Sequence, residues 1–145
     1  MKNVVVIYWS GTGNTQTMAE AVGQGATADG VTVQVIAVGA ASQEIVLAAD
    51  AVALGCPAMG AEVLEEIEME PFVQSLAAVN LKDKPMALFG SYDWGEGQWM
   101  QDWTARMAGQ GVRLVAAGLI INNLPDAAGL EQCRTLGRTL TAAIQ

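Results

Sequence analysis

Six consecutive residues, Ser10-Gly11-Thr12-Gly13-Asn14-Thr15, set hydroxyls at positions 10, 12 and 15 among two glycines. They follow a continuous apolar run, Val4 to Trp9, and open a stretch of helical periodicity. Glycine lets a backbone curl until successive N–H groups face one side. A helix start adds partial positive charge there. Such a loop can hold a phosphate without Lys or Arg, and this one contains neither. It is not a Walker A loop, because Gly-Lys-Ser/Thr is missing, nor a dinucleotide fingerprint, because position 16 is Gln. A tight strand–helix turn capped by hydroxyls uses the same residue types.

Two further loops carry unusual residues. Met59-Gly60 offers a polarisable thioether, able to pack on a flat ring, beside a residue that tolerates positive φ. A Met plugging a core gap next to a turn is the plain alternative. In Gly90-Ser91-Tyr92-Asp93-Trp94-Gly95-Glu96-Gly97 a large aromatic stands among glycines, which hold it on a surface loop, free to stack. The chain has no histidine, so Ser-His-Asp and Cys-His catalysis, His-metal sites and the usual proton shuttle near neutral pH are excluded. Cys56 and Cys133 match no zinc or iron–sulfur spacing. No metal site is expected, and any redox chemistry must come from a bound cofactor.

The elements that position these loops follow from periodicity. Apolar runs predict strands over Val4–Trp9, Val31–Val38, Ala51–Cys56, Pro85–Gly90 and Val112–Ile121. Helical patterns fall over Thr15–Ala28, Ser42–Ala49, Pro71–Val79, Gly97–Gly109 and from Asp126 to Ile144, with Ser42 and Asp126 as caps. The alternation predicts an α/β fold, a doubly wound parallel sheet with helices on both faces. In such sheets ligands sit beyond the carboxyl ends of the strands, where strand order reverses. The loops after strands one, three and four are the three described above.

The chain has 145 residues, within the roughly 100–200 of one domain, and a single domain over 1–145 is expected. Hydrophobic residues make up 52% and charged residues 15%, which excludes disorder. Seven Lys+Arg against fifteen Asp+Glu give a net charge of −8, with no basic footprint for nucleic acid. No apolar run approaches the 18 or so residues of a membrane span, and the start Met1-Lys2-Asn3-Val4 shows no cleavage site. A soluble, cytoplasmic monomer is expected, with its two thiols reduced.

Ser-Gly-Thr-Gly-Asn-Thr after a first buried strand, preceded by Tyr8-Trp9, resembles the phosphate loop of flavodoxins of the short-chain, clostridial type. Gly55-Cys56-Pro57-Ala58-Met59-Gly60 resembles their second flavin loop, Leu88 to Tyr92 through Trp99-Met100 their third, and Asn123-Leu124-Pro125-Asp126 the turn before their last helix. The resemblance implies a five-stranded sheet in the order 2-1-3-4-5 and one non-covalent FMN. FMN is preferred to FAD because only one phosphate pocket is visible. It implies that Ser10 to Thr15 grip the phosphate and that Ser91 and the Trp99 indole reach towards it. Trp99 and Trp103 at i, i+4 also mark the buried face of a helix. It further implies that Met59 and Trp94 cover the two ring faces. Glu62 accepts from N3–H, the peptide after Met59 presents a carbonyl to N5–H after reduction, and Asn123 lines the ribityl chain or simply makes a turn. The stretch Tyr92-Asp93-Trp94-Gly95 meets the pyrimidine end. There Asp93 replaces a family glycine, which would strain a turn needing positive φ and adds a carboxylate near N1. Pro57 brings no hydroxyl where some relatives have Ser.

Function follows from these implied contacts. A low-potential one-electron carrier, shuttling FMN between hydroquinone and neutral semiquinone, is expected, with negative groups opposing the hydroquinone anion. The run Glu62, Glu65, Glu66, Glu68 and Glu70, with Glu96 and Asp102, is expected to rim the flavin edge and steer redox proteins with basic docking faces. A solvated surface is the plain reading of such a run. An FMN-dependent quinone or NAD(P)H reductase on the same fold is the alternative, but no spare chain provides its substrate site. A response-regulator-like module would need an acidic cluster after strand one and a lysine after strand five, where Tyr8-Trp9 and Asn122-Asn123 stand.

Overall fold

The computed structural model describes all 145 residues. Its strands are β1 (Lys2–Tyr8), β2 (Val31–Ala37), β3 (Ala51–Gly55), β4 (Pro85–Tyr92), β5 (Arg113–Leu114) and β6 (Leu119–Asn122). Its helices are α1 (Asn14–Ala26), α2 (Gln43–Ala48), α3 (Met69–Leu76), α4 (Gln98–Gly109) and α5 (Ala127–Ala142). Every pairing is parallel, in the order β2-β1-β3-β4, with β5 and then β6 along the outer edge of β4. This is the expected order 2-1-3-4-5, with the fifth strand in two pieces.

The break corrects the continuous strand expected over Val112–Ile121. Val115 N–H still donates to Met86 C=O at 3.0 Å, and pairing resumes at Leu119 opposite Phe89. Between them Gly118 packs under Met100 of α4; a Cβ there would lie 2.5 Å from Met100 Cγ. Helix caps fall where expected: Ser42 Oγ accepts from Ile45 N–H at 3.2 Å and Asp126 Oδ1 from Gly129 N–H at 2.7 Å. The third helix starts at Met69, two residues before the expected Pro71.

Strand residues point alternately to two cores, which explains the uninterrupted apolar runs. Val5, Ile7, Val52, Leu54, Met86 and Leu88 pack against large side chains of α3 and α4, among them Trp99, Trp103 and Met69. Val4, Val6, Ala51, Ala53, Ala87 and Phe89 face α1 and α5. This second face is richer in alanine, and α1 and α5 lie close together. A Cβ on Gly25 would stand 1.9 Å from Arg134 C=O, and one on Gly137 2.0 Å from Val22 C=O. Thr141 Oγ1 donates to Ala26 C=O at 2.6 Å, tying the end of α1 to α5. Cys133 sits in this core and Cys56 in the other, both as free thiols, which burial pushes up to about 11 and about 12 respectively. No helix is long and apolar enough to cross a membrane.

Because the neighbour of Gly137 is backbone, Gly137→Ala must separate the helices. It should cost about 1–3 kcal/mol, read as a lower urea midpoint with an unchanged slope. Gly109→Ala, where nothing lies within 4 Å, is the control and should leave the midpoint in place.

Candidate functional site

The sheet brings the three loops together by main-chain bonding that continues past the strand ends. Trp9 N–H donates to Gly55 C=O at 3.0 Å, Cys56 N–H to Phe89 C=O at 3.1 Å, Ala58 N–H to Ser91 C=O at 3.0 Å and Asn123 N–H to Tyr92 C=O at 2.8 Å. A cavity of about 120 Å³ opens between them, lined by Trp9, Gly11, Thr12 and Asn14 of the first loop, Pro57, Ala58 and Met59 of the second, and Ser91, Tyr92 and Asp93 of the third. Nine of these ten are expected site residues. Trp9 is the one missed: it closes a strand, so its chemistry was hidden in an apolar run, yet its ring packs on Gly11, where a Cβ would come within 3.0 Å.

In the first loop Gly13 adopts φ +98 and precedes α1 with no side-chain cap. Only glycine takes that conformation readily. Ser10 Oγ accepts from Gly13 N–H at 3.0 Å, and Thr17 N–H makes the first helical bond, to Gly13 C=O at 3.0 Å. The N–H groups at the front of α1 are therefore left for a ligand. Thr15, expected as a direct phosphate contact, lies beneath the loop at 1% exposure, with its hydroxyl 2.7 Å from Ser91 Oγ. Such a pair uses one of its two hydroxyl protons internally and keeps the other to donate.

In the second loop Met59 and Val63 exchange both main-chain bonds, at 2.9 and 3.0 Å, closing a turn over Gly60, Ala61 and Glu62. Gly60 has φ +48 and open space around its Cβ position. Met59 is half-buried at the cavity wall.

The third loop departs from expectation in several places. Asp93 is outside the left-handed region, so replacing a glycine there strains nothing. Trp94 projects from the loop at 61% exposure, beside Gly95 at φ +87. Trp99 is corrected: its ring is 1% exposed in the core and its indole N–H donates to Cys56 C=O at 3.1 Å, so it supports the second loop from below. Tyr92 packs on it, ring centres 5.7 Å apart. Asn123 makes a turn at φ +58, its amide donates to Asn122 Oδ1 at 3.0 Å, and it does not line the cavity. Asn122, for which the sequence suggested no role at the site, donates to Tyr92 C=O at 3.1 Å and holds the third loop to the fifth strand.

The acidic run is not one exposed rim. Glu65 is 5% exposed and accepts from the N–H groups of Ile67, Glu68 and Met69 at 2.8, 2.7 and 2.9 Å. Burial pushes its pKa up, but these three donors outweigh burial and hold the carboxyl below the ordinary range. Glu70 makes a two-pronged pair with Arg106 at 2.8 and 2.7 Å, and that hydrogen bonding lowers its pKa. Glu62 bonds the start of α4 through Gly97 and Gln98. Glu66, Glu68, Asp93, Glu96 and Asp102 remain exposed.

The arrangement fits FMN. Three loops offer hydroxyls and main-chain N–H groups without a cation at one end, and a thioether and an exposed indole at the other. The sequence model of the family described as Flavodoxin matches residues 6–137. The chain is 44% identical over 135 residues to the flavodoxin of Clostridium beijerinckii, covering 93% of this chain and 96% of that one. It is 40% identical over 140 residues to that of Megasphaera elsdenii, covering 97% and 99%. The solution structure of two-electron reduced Megasphaera elsdenii flavodoxin superposes with TM-score 0.85 over 96% of this chain and 98% of that one. A flavodoxin from the domain Archaea superposes with TM-score 0.89 at 31% identity, over 98% of each chain.

Glu65 gives the site an acid-sensitive support. Its folded-state pKa is depressed, so its contribution is complete above the unfolded carboxylate range and is lost as pH falls through the folded value. Glu65→Gln should therefore lower stability near neutral pH by about 1–3 kcal/mol. Urea midpoints of the two proteins should converge as pH drops below about 4.

Proposed function

The chain belongs to the flavodoxin family of FMN-binding electron-transfer proteins, and on that premise we propose that it is a low-potential one-electron carrier cycling its FMN between the half-reduced and fully reduced forms. Bound FMN supplies the electron-accepting ring system. The residues of this chain bind, shield and tune it. Its partners are redox proteins, and we take their docking faces to be basic.

The observation that carries the reading is the single cavity shared by the hydroxyl-rich loop, Met59 and the loop of Trp94. In this assignment Ser10, Gly11, Thr12, Gly13, Asn14 and Thr15 hold the phosphate through N–H and hydroxyl groups. Met59 and Trp94 exclude water from the ring faces. Tyr92, Asp93 and Gly95 border the pyrimidine edge, with Glu62 near N3. Gly60, at φ +48 and without a side chain, suits a turn of its peptide towards N5. The exposed carboxylates of Asp93, Glu66 and Glu96 disfavour the negative charge that the ring takes on when fully reduced, which lowers the second potential. The two free thiols, buried on opposite faces of the sheet, suit a reducing cytoplasm.

Mixing the purified chain with FMN should give a yellow complex that passes through a blue species during dithionite titration. Colourless protein after FMN excess, or rapid bleaching by NADPH with no added reductase, would overturn the reading. Gly60→Ala should lower the yield of the blue species more than it lowers FMN affinity, because a Cβ at φ +48 resists turning. Equal yields would remove the peptide argument. Trp94→Ala should weaken FMN binding about tenfold and brighten flavin fluorescence; unchanged emission would remove the stacked indole.

A further inference from the structure

Helix α4 begins at Gln98, after Gly97 at φ +92, so the residue at its cap position has no side chain to satisfy the first N–H groups. Those donors are satisfied from another loop. Gly97 N–H and Gln98 N–H both donate to Glu62 Oε1, at 3.2 and 3.1 Å. Glu62 reaches them from φ +57, a backbone conformation uncommon for any residue but glycine. Gly95 leaves room for the carboxylate, since a Cβ there would lie 2.6 Å from Oε1. The exchange of bonds between Met59 and Val63 fixes the turn from which Glu62 projects.

We propose that Glu62 is a positioning residue: from the second loop it caps α4 and so pins the far end of the third loop, which carries Asp93 and Trp94. The proposal rests on reading the chain as an FMN carrier and goes beyond it, because the third loop is then held before any cofactor arrives. Its near end is fixed by β4 and by Asn122. At its far end the side chain that bonds the loop from outside α4 is this carboxylate, whose charge lies at the positive end of the helix. Oε1 serves both amides, leaving Oε2 for a donor on the ligand, so one side chain sets the ring clamp and meets the ring. Loss of the cap should act on the loop even with no flavin present, whereas a residue that only touches flavin would have no such effect.

Amide hydrogen exchange at Gly97 and Gln98 separates the two. It should be measured with and without FMN in the wild type, Glu62→Gln and Glu62→Ala, with the β1 amides reporting on global folding. Removing an N-cap acceptor should speed exchange at both amides about tenfold in Glu62→Ala, in both states. Glu62→Gln, which keeps an acceptor oxygen, should restore most of the protection. FMN affinity should fall in the same order, and Glu62→Asp, one methylene short, should behave like the Ala variant and replace it if that one does not fold. Unchanged exchange at Gly97 and Gln98 in Glu62→Ala would overturn the proposal even if FMN binding weakened. Accelerated exchange in a protein that never takes up FMN would leave the latch standing and overturn the carrier reading instead.

Discussion

Everything at the site depends on a parallel ladder that does not stop where the strands stop. Trp9 bonds Gly55, Cys56 bonds Phe89, and Ala58 bonds Ser91, each across neighbouring strands. Three loops far apart in sequence are thereby held at hydrogen-bond spacing by the sheet that forms the core. A site built this way inherits the stability of β1, β3 and β4, all buried on both faces. The loops need few ties of their own, and those present are short: the Thr15–Ser91 hydroxyl pair, the Met59–Val63 exchange and the Glu62 bonds to α4.

The electrostatics follow from what each carboxylate touches. In a chain of net charge −8, an anionic cofactor gains nothing from long-range attraction. Its phosphate must be held by oriented N–H dipoles and hydroxyls at close range, where water is excluded and each bond is stronger. The acids nearest the fold are neutralised locally. Glu65 is offset by three main-chain donors, Glu70 by Arg106 and Glu62 by the start of α4. What remains in solvent is the exposed set around Asp93, Glu66 and Glu96.

The strands and the three loops were legible because buried parallel strands read as continuous apolar runs and the loops break them with glycine and hydroxyl residues, whereas the order of the strands came from the family resemblance. The i, i+4 spacing of Trp99 and Trp103 already pointed to a buried helix face, and the core placement of Trp99 follows it rather than the phosphate role. Other features had no local signal. Val115-Ala116-Ala117-Gly118 is as apolar as a strand, and nothing in it signals that Gly118 lies close against Met100 of another element where the fifth strand is interrupted. Five glutamates look alike in sequence, and only the path of the backbone decides that Glu65 turns inward while Glu66 stays in solvent. Asn122 acts through the third loop, thirty residues earlier, which no spacing rule reveals.

The two faces of the sheet divide the work at the site. Helix α1, whose start follows the hydroxyl-rich loop, lies on the face richer in small residues, with its far end locked to α5 where Gly25 and Gly137 permit backbone contact and Thr141 bonds Ala26. Close packing of that kind resists displacement, so the hydroxyl-rich loop is anchored along the whole helix. Helix α4, whose start ends the third loop, lies on the face of large, adaptable side chains such as Met69, Met100 and Met107. Its loop carries two positive-φ glycines and an indole left 61% exposed. The two sides of the candidate site are thus held differently, the start of α1 by a tightly packed helix pair and the start of α4 by the Glu62 carboxylate over a core of adaptable side chains, from opposite faces of one sheet.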